Sequence, residues 1–351
     1  MTRCILLLAL GASLFCVAGC ESTPKYDISV VEPTAWGSDW SHVTGQVVVN
    51  KADSDGIYRL YLMNPDGSGE QAFASTHPAL PQRTTGSGNW HPSGKYIVFV
   101  AEKAQHDGAS SLATPGWGGY SDLWIATADG ASAWQLTDTP NDADHGTLIP
   151  IFSPDGSRLA WTERVAGADL LDPRYQFGTW ELKVADFVDG PSGPSLANVE
   201  TLTPGGSGFF ETGGFSPDGG SLLFTSDATT GDVWDSQIFR IDLATGDVTQ
   251  LTTTGYNEHP RYTPAGKIMW MSNREATLGG TDWWQMDADG SSQSRFSYFN
   301  EPFQPGCSGL PVWVGPVPPE NWSPDGTFFL GDVETDVLTA AGEVRKVTLP
   351  R

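Results

Sequence analysis

The sequence predicts an all-β fold, a six-bladed β-propeller of four-stranded antiparallel blades, and three observations carry that expectation. One phrase recurs along the chain, an aromatic residue followed by Ser-Pro-Asp-Gly and a short apolar run: Phe152-Ser-Pro-Asp-Gly156, Phe215-Ser-Pro-Asp-Gly219 and Trp322-Ser-Pro-Asp-Gly326, with looser copies from Trp90 and Tyr262 and a worn one from Trp40. The aromatic anchors at 40, 90, 152, 215, 262 and 322 lie about 56 residues apart on average, somewhat above the ~40–50 of common propeller blades. Glycine (41), proline (25) and tryptophan (14) are abundant while helical periodicity is lacking, which favours short strands and tight turns over helices. A parallel β-helix, the runner-up, calls for shorter and more regular rungs.

Each element of a blade has a local cause. The aromatic residue ends the first strand; proline presets φ, aspartate caps the turn and glycine takes positive φ, so the chain reverses into a second strand. Two further strand-like pieces follow, such as Leu123–Thr127 with Ala133–Thr137 and Ile238–Asp242 with Val248–Thr252, joined by turns such as Asp129-Gly130 and Thr245-Gly246. Residues 343–350 read as a final outer strand. The ends then meet without sharing a blade, or Tyr26–Val31 completes the last one.

Strand order separates two rims. Turns between first and second strands and between third and fourth lie on one rim, which is mostly tight. The longer connections at 75–89, 102–121, 137–148, 163–179, 226–236, 253–258, 273–281 and 299–312 lie on the other, and long loops on a rigid scaffold are where binding concentrates. A loop at 187–198 is the exception on the tight rim. The loop-rich rim and the axial channel mouth are therefore the expected functional face.

Residues 1–19 read as an export signal, with Arg3 before the apolar run Ile5–Val17. Its end, Val17-Ala18-Gly19-Cys20, resembles a bacterial lipobox, which implies lipid on Cys20. Residues 20–35 are then a lipidated N-terminus and linker, and Glu21 favours the outer membrane in enterobacteria-like sorting. Once Cys4 and Cys16 leave with the signal and Cys20 is lipidated, Cys307 stands alone and no intrachain disulfide can form. With 19 Lys+Arg against 42 Asp+Glu the net charge is −23, which excludes a nucleic-acid binder and fits a neutral or cationic ligand or a saline habitat.

Over residues 36–351 the aromatic-Ser-Pro-Asp-Gly corners resemble the TolB-like propeller repeat, also found in prolyl oligopeptidase-type enzymes. The resemblance implies a binding module of the cell envelope. About 15 residues separate Cys20 from the first blade, where TolB has an α/β domain, and no Gly-x-Ser-x-Gly elbow marks a hydrolase. A non-catalytic, lipid-anchored propeller binding an envelope protein or polymer is expected, with a polysaccharide-binding or lyase-like lipoprotein as the alternative. Candidate ligand-binding residues are Trp117, Tyr120, Asp144, His145, Glu211, Glu258 and His259. The aromatics suit stacking on sugars or partner side chains, and the His/carboxylate groups precede inner strands near the channel mouth. Glu258-His259 is the pair that suits acid–base chemistry, with His259 as base. No metal-ligand spacing such as His-x-His is present, so no cofactor is expected, with a divalent cation in the axial channel the open alternative.

Overall fold

The computed structural model describes residues 26–113, 115–167, 177–202, 208–304, 306–336 and 341–350. The signal segment and Cys20 lie outside the described residues. Six four-stranded antiparallel sheets form six blades. The inner strands are Ala35–Trp40, Thr85–Trp90, Gly146–Phe152, Phe210–Phe215, Asn257–Tyr262 and Trp313–Val314, in blades one to six, and those of blades one to five end on the aromatic anchors.

The turns work as their residues dictate. In blade three the Asp155 carboxylate accepts hydrogen bonds from Ser153 Oγ (2.6 Å) and Ser157 N (3.0 Å), and Gly156, at φ 72°, donates its N–H to Ser153 O. The same pattern recurs at Asp218 and Asp325. These hydroxyl and amide donors stabilise the charged form, and the Asp155 pKa falls to about 2.

Blade six departs from the pattern. Its inner strand stops at Val314; Gly315 N still donates to Asp332 O, and the chain returns to the sheet at the bridge between Trp322 and Phe329. Pro316, Pro318 and Pro319 lie between. Proline brings no N–H to a ladder, so this stretch leaves the sheet and bulges into the lumen.

The ring closes by sharing a blade. The N-terminal strand Asp27–Glu32 runs antiparallel to the C-terminal strand Ala341–Thr348 and is the outermost strand of blade six, so the second of the two closures holds. Tyr26 stacks on Phe296 of blade five at 5.7 Å. The 187–198 segment is no loop: Thr179–Gly190 and Gly193–Thr201 form a long hairpin, and Phe187 packs on Tyr96 and Phe152 beside a Lys95–Asp189 bridge.

The core is divided among the blade interfaces. Val48 and Leu60 meet Ile97 and Phe99 between blades one and two, and Leu223 and Ile238 meet Ile268 and Trp270 between blades four and five. Polar ties add register near the axis: Asp39 accepts from Trp90 N (2.6 Å), Asn89 from Phe152 N (3.3 Å) and Asp332 from Ser38 N (3.0 Å), each reaching into the next blade. Among the described residues no helix is long and apolar enough to cross a membrane.

Candidate functional site

The inner strands surround a cavity of about 640 Å³ that runs from the loop-rich rim to the tight one. Its wall is shaped by a repeated irregularity. In blades one to five, two inner-strand residues oppose one on the neighbouring strand: Gly37-Ser38, Ser87-Gly88, Ile149-Pro150, Gly213-Gly214 and His259-Pro260. The first residue of four of these bulges has positive φ: Gly37 at 68°, Ser87 at 53°, Ile149 at 46° and His259 at 54°. A bulge re-aims the side chain it carries, and in blade five that side chain is an imidazole in the lumen.

Glu211, Glu258 and His259 come together there. One ligand-capable atom from each lies within 4.8 Å of the other two, and His259 Nε2 stands 3.5 Å from Glu211 Oε1. Both carboxylates are buried, each 6% exposed. Burial, then repulsion from Glu211, raises the Glu258 pKa to about 8, and the Tyr256 hydroxyl faces it. Burial pulls His259 down, but Glu211 and Glu258 outweigh it and leave its pKa raised to about 9.

Further carboxyls line the same lumen: Asp39, Glu320, Asp332 and Glu334. Burial raises Asp39 to about 8 and Asp332 to about 7. Arg261 is the one guanidinium in this lining, and burial lowers its pKa to about 10. The lumen thus brings together carboxyls that burial drives toward their protonated form beside the His259 imidazole and the Arg261 guanidinium.

At the loop-rich mouth the wall turns aromatic. Trp117 and Phe177 meet edge to face at 5.8 Å, Phe177 and Trp234 at 5.6 Å, and Trp234 and Tyr256 at 5.7 Å, while Trp36 and Trp313 also line the cavity. Trp117 and Trp234 are 49% and 52% exposed, so this row presents ring faces to solvent.

The other candidates lie elsewhere. Tyr120 stacks on His106 at 3.8 Å and is outside the cavity lining, and His106 Nδ1 lies 2.5 Å from Glu102. Asp144 is exposed on the rim; His145 pairs with Asp142 at 2.6 Å, and neither lines the cavity. Sequence reasoning missed Asp39, Arg261, Glu320, Asp332 and Glu334, and Phe177, Trp234 and Tyr256 at the mouth. A signal existed for two of them: Asp39 and Arg261 each sit one residue before an aromatic anchor, as do Asn89 and the buried Asn321.

No protein-family model matches the chain. Over 255 residues it is 25% identical to dipeptidyl-peptidase 5 of Porphyromonas endodontalis, a match that covers 63% of this chain and 33% of that protein. It is 27% identical over 136 residues to tricorn protease homolog 1 of Streptomyces coelicolor, covering 39% of this chain and 9% of that one. The chain therefore spans a third or less of the curated relatives it matches. Among solved structures, TolB from Acinetobacter baumannii superposes with a TM-score of 0.54 at 16% identity, covering 88% of this chain and 65% of that one. A gluconolactonase from Xanthomonas campestris superposes at 0.56 with 13% identity, covering 93% and 95%. The fold is a TolB-like six-bladed propeller, and that same ring also occurs in proteins described as peptidases and lactonases.

Proposed function

We propose that this chain is a non-catalytic, lipid-anchored propeller of the cell envelope that binds a protein segment or an envelope polymer at the loop-rich mouth of its channel. The observation that carries the reading is the aromatic row Trp117–Phe177–Trp234–Tyr256 set over an acidic lumen. Exposed aromatic clusters mark interaction surfaces, and their faces stack on sugars, peptide side chains and cations alike. Phe303 and Leu310 add exposed apolar surface on the same rim. The carboxyl, imidazole and guanidinium groups beneath offer both hydrogen-bond donors and acceptors to such a ligand.

The closing strand supplies an orientation. Asp27 pairs with Thr348, which pairs in turn with Phe328 just after the last Ser-Pro-Asp-Gly turn, so the N-terminal strand begins at the tight rim. Five residues separate Cys20 from Tyr26, a reach of about 22 Å at most. A lipid on Cys20 then holds the tight rim toward the bilayer and presents the aromatic mouth outward.

The test is cross-linking capture from envelope extract with the full chain. Partners enriched by the wild type and lost in the Trp117→Ala/Trp234→Ala double variant support the reading; equal enrichment by both overturns it. Metabolic labelling with a fatty acid, lost in Cys20→Ser, tests the anchor separately. A second reading, a polysaccharide lyase or hydrolase, is favoured by the proximity of Glu211, Glu258 and His259. It expects glycan turnover that Glu258→Gln abolishes.

A further inference from the structure

We propose that Glu211, Glu258 and His259 bind one divalent cation on the inner wall of the channel, an ion of the class that accepts mixed oxygen and nitrogen ligands, as Mn²⁺ does.

The first argument is distance. A charge-assisted contact between imidazole and carboxylate closes to ~2.7–2.9 Å when the two bond each other. His259 Nε2 and Glu211 Oε1 stop at 3.5 Å. Two ligands held ~2.1 Å from one ion at a tetrahedral angle stand ~3.4 Å apart, and two on opposite sides of an octahedron ~4.2 Å. The three-residue set, with no pair of ligand atoms beyond 4.8 Å, needs only small side-chain rotations to enclose an ion.

The second argument is independent of the cluster's composition. Glu211 Oε2 is buried and has no hydrogen-bond partner, on a side chain that is itself more than nine-tenths buried. His259 Nδ1 is likewise buried and without a partner. Buried polar atoms are almost always satisfied, and an exception is explained by strain, a functional role, a water or an ion. A cation coordinated by the Glu211 carboxylate accounts for the orphaned oxygen.

The setting fits. The bulge at His259-Pro260 breaks the ladder at this level and turns the imidazole to the lumen beside Glu258. Arg261 lies near Glu211 and offsets one carboxylate, while Glu334 lies within electrostatic reach of His259. Two carboxylates and an imidazole suit Mn²⁺ better than a soft, thiolate-seeking ion. Three protein ligands leave the lumen side of the ion open, where a hydroxyl or carbonyl oxygen of a channel ligand would complete the shell. Ion binding needs no organic ligand, so the inference stands or falls apart from the binding role proposed above.

The experiment is titration of the chelator-treated full chain with Mn²⁺ alone, followed by calorimetry and by the loss of the free-ion electron paramagnetic resonance signal. One ion per chain is expected, with at least tenfold weaker binding in Glu211→Gln and in His259→Ala. Asp144→Asn, an exposed acid on the outer rim, should leave the affinity unchanged. Thermal melting of each apo variant checks folding, and Glu258→Gln, which keeps shape and volume, covers the case in which His259→Ala does not fold. Absence of stoichiometric binding up to millimolar Mn²⁺, or binding that persists unchanged in folded Glu211→Gln or Glu258→Gln, overturns the proposal.

Discussion

The six blade interfaces and the lumen they enclose are built on opposite rules. An interface such as that between blades four and five is apolar and closed: Trp270 is 1% exposed, packs with Ile238, Ile268 and Trp284, and places its one polar atom on Asn257 Oδ1 at 2.9 Å. Nearer the axis, the inner strands of these two blades present Glu211, Glu258 and Arg261 to the lumen, and burial disfavours the charged forms of Glu258 and Arg261. Apolar packing holds the ring together, and Trp284 Nε1 in this interface is buried without a hydrogen-bond partner. The lumen spends part of that stability on groups poised to meet something else.

The largest expected effect breaks an interface. Trp270→Ala removes a fully buried indole and leaves Asn257 Oδ1 with only the 3.5 Å contact from Arg274 Nη2, so unfolding should ease by about 3–5 kcal/mol, read as a denaturation midpoint shift. Gly331→Ala tests close packing between blades five and six. A Cβ there would lie 2.5 Å from the Trp283 ring, whose Nε1 donates to Gly315 O, and overpacking of this kind costs about 1–3 kcal/mol.

The pH dependence sharpens the comparison, because the two regions carry opposite limbs. Glu258 folds with its pKa raised from 4.5 to about 8, so the folded state holds its proton while the unfolded chain releases it; stability falls as pH climbs from 4.5 to 8. His259, raised from 6.5 to about 9, contributes stability below 6.5 that is lost as pH rises through 9. The turn aspartates act the other way. Asp155, lowered from 3.8 to about 2, contributes above 3.8, and that contribution is lost as pH falls through 2. Melting in chelator should therefore peak in mildly acidic buffer. Glu258→Gln should flatten the alkaline limb, and Asp155→Asn the acid one. A wild-type melting temperature that rises from pH 6 to 9 would contradict the lumen electrostatics.

The parts legible in the sequence were those set by contiguous residues. Ser-Pro-Asp-Gly is a local reversal whose bonds close within five positions, so rims, blade number and anchors follow from it. Blade six resisted because three prolines interrupt its inner strand, and closure resisted because Asp27–Glu32 pairs with a segment over 300 residues away. The lumen was legible only in part. Glu211, Glu258 and His259 belong to two different blades, and their meeting depends on bulges that turn side chains toward the axis. Asp144 and His145 also precede an inner strand, yet they lie before its first residue, Gly146, and stay on the outer rim. Position relative to the aromatic anchor is the better guide, as Asp39 and Arg261 show.

The smallest stability effect belongs to the mouth and separates it most cleanly from the interfaces. Trp117 is half exposed and meets Phe177 edge to face. Trp117→Ala should change unfolding by no more than about 0.5 kcal/mol, the range of surface substitutions outside special features. Trp283→Ala, the same substitution in a blade interface, should instead cost about 3–5 kcal/mol. A half-exposed tryptophan without a stabilising role is what the proposed binding at the mouth requires. Parallel melts and capture assays on these two variants decide the point. Intact folding with lost capture for Trp117→Ala places binding at the mouth, whereas a large loss of stability there would return Trp117 to the core and leave the aromatic row with a packing role alone.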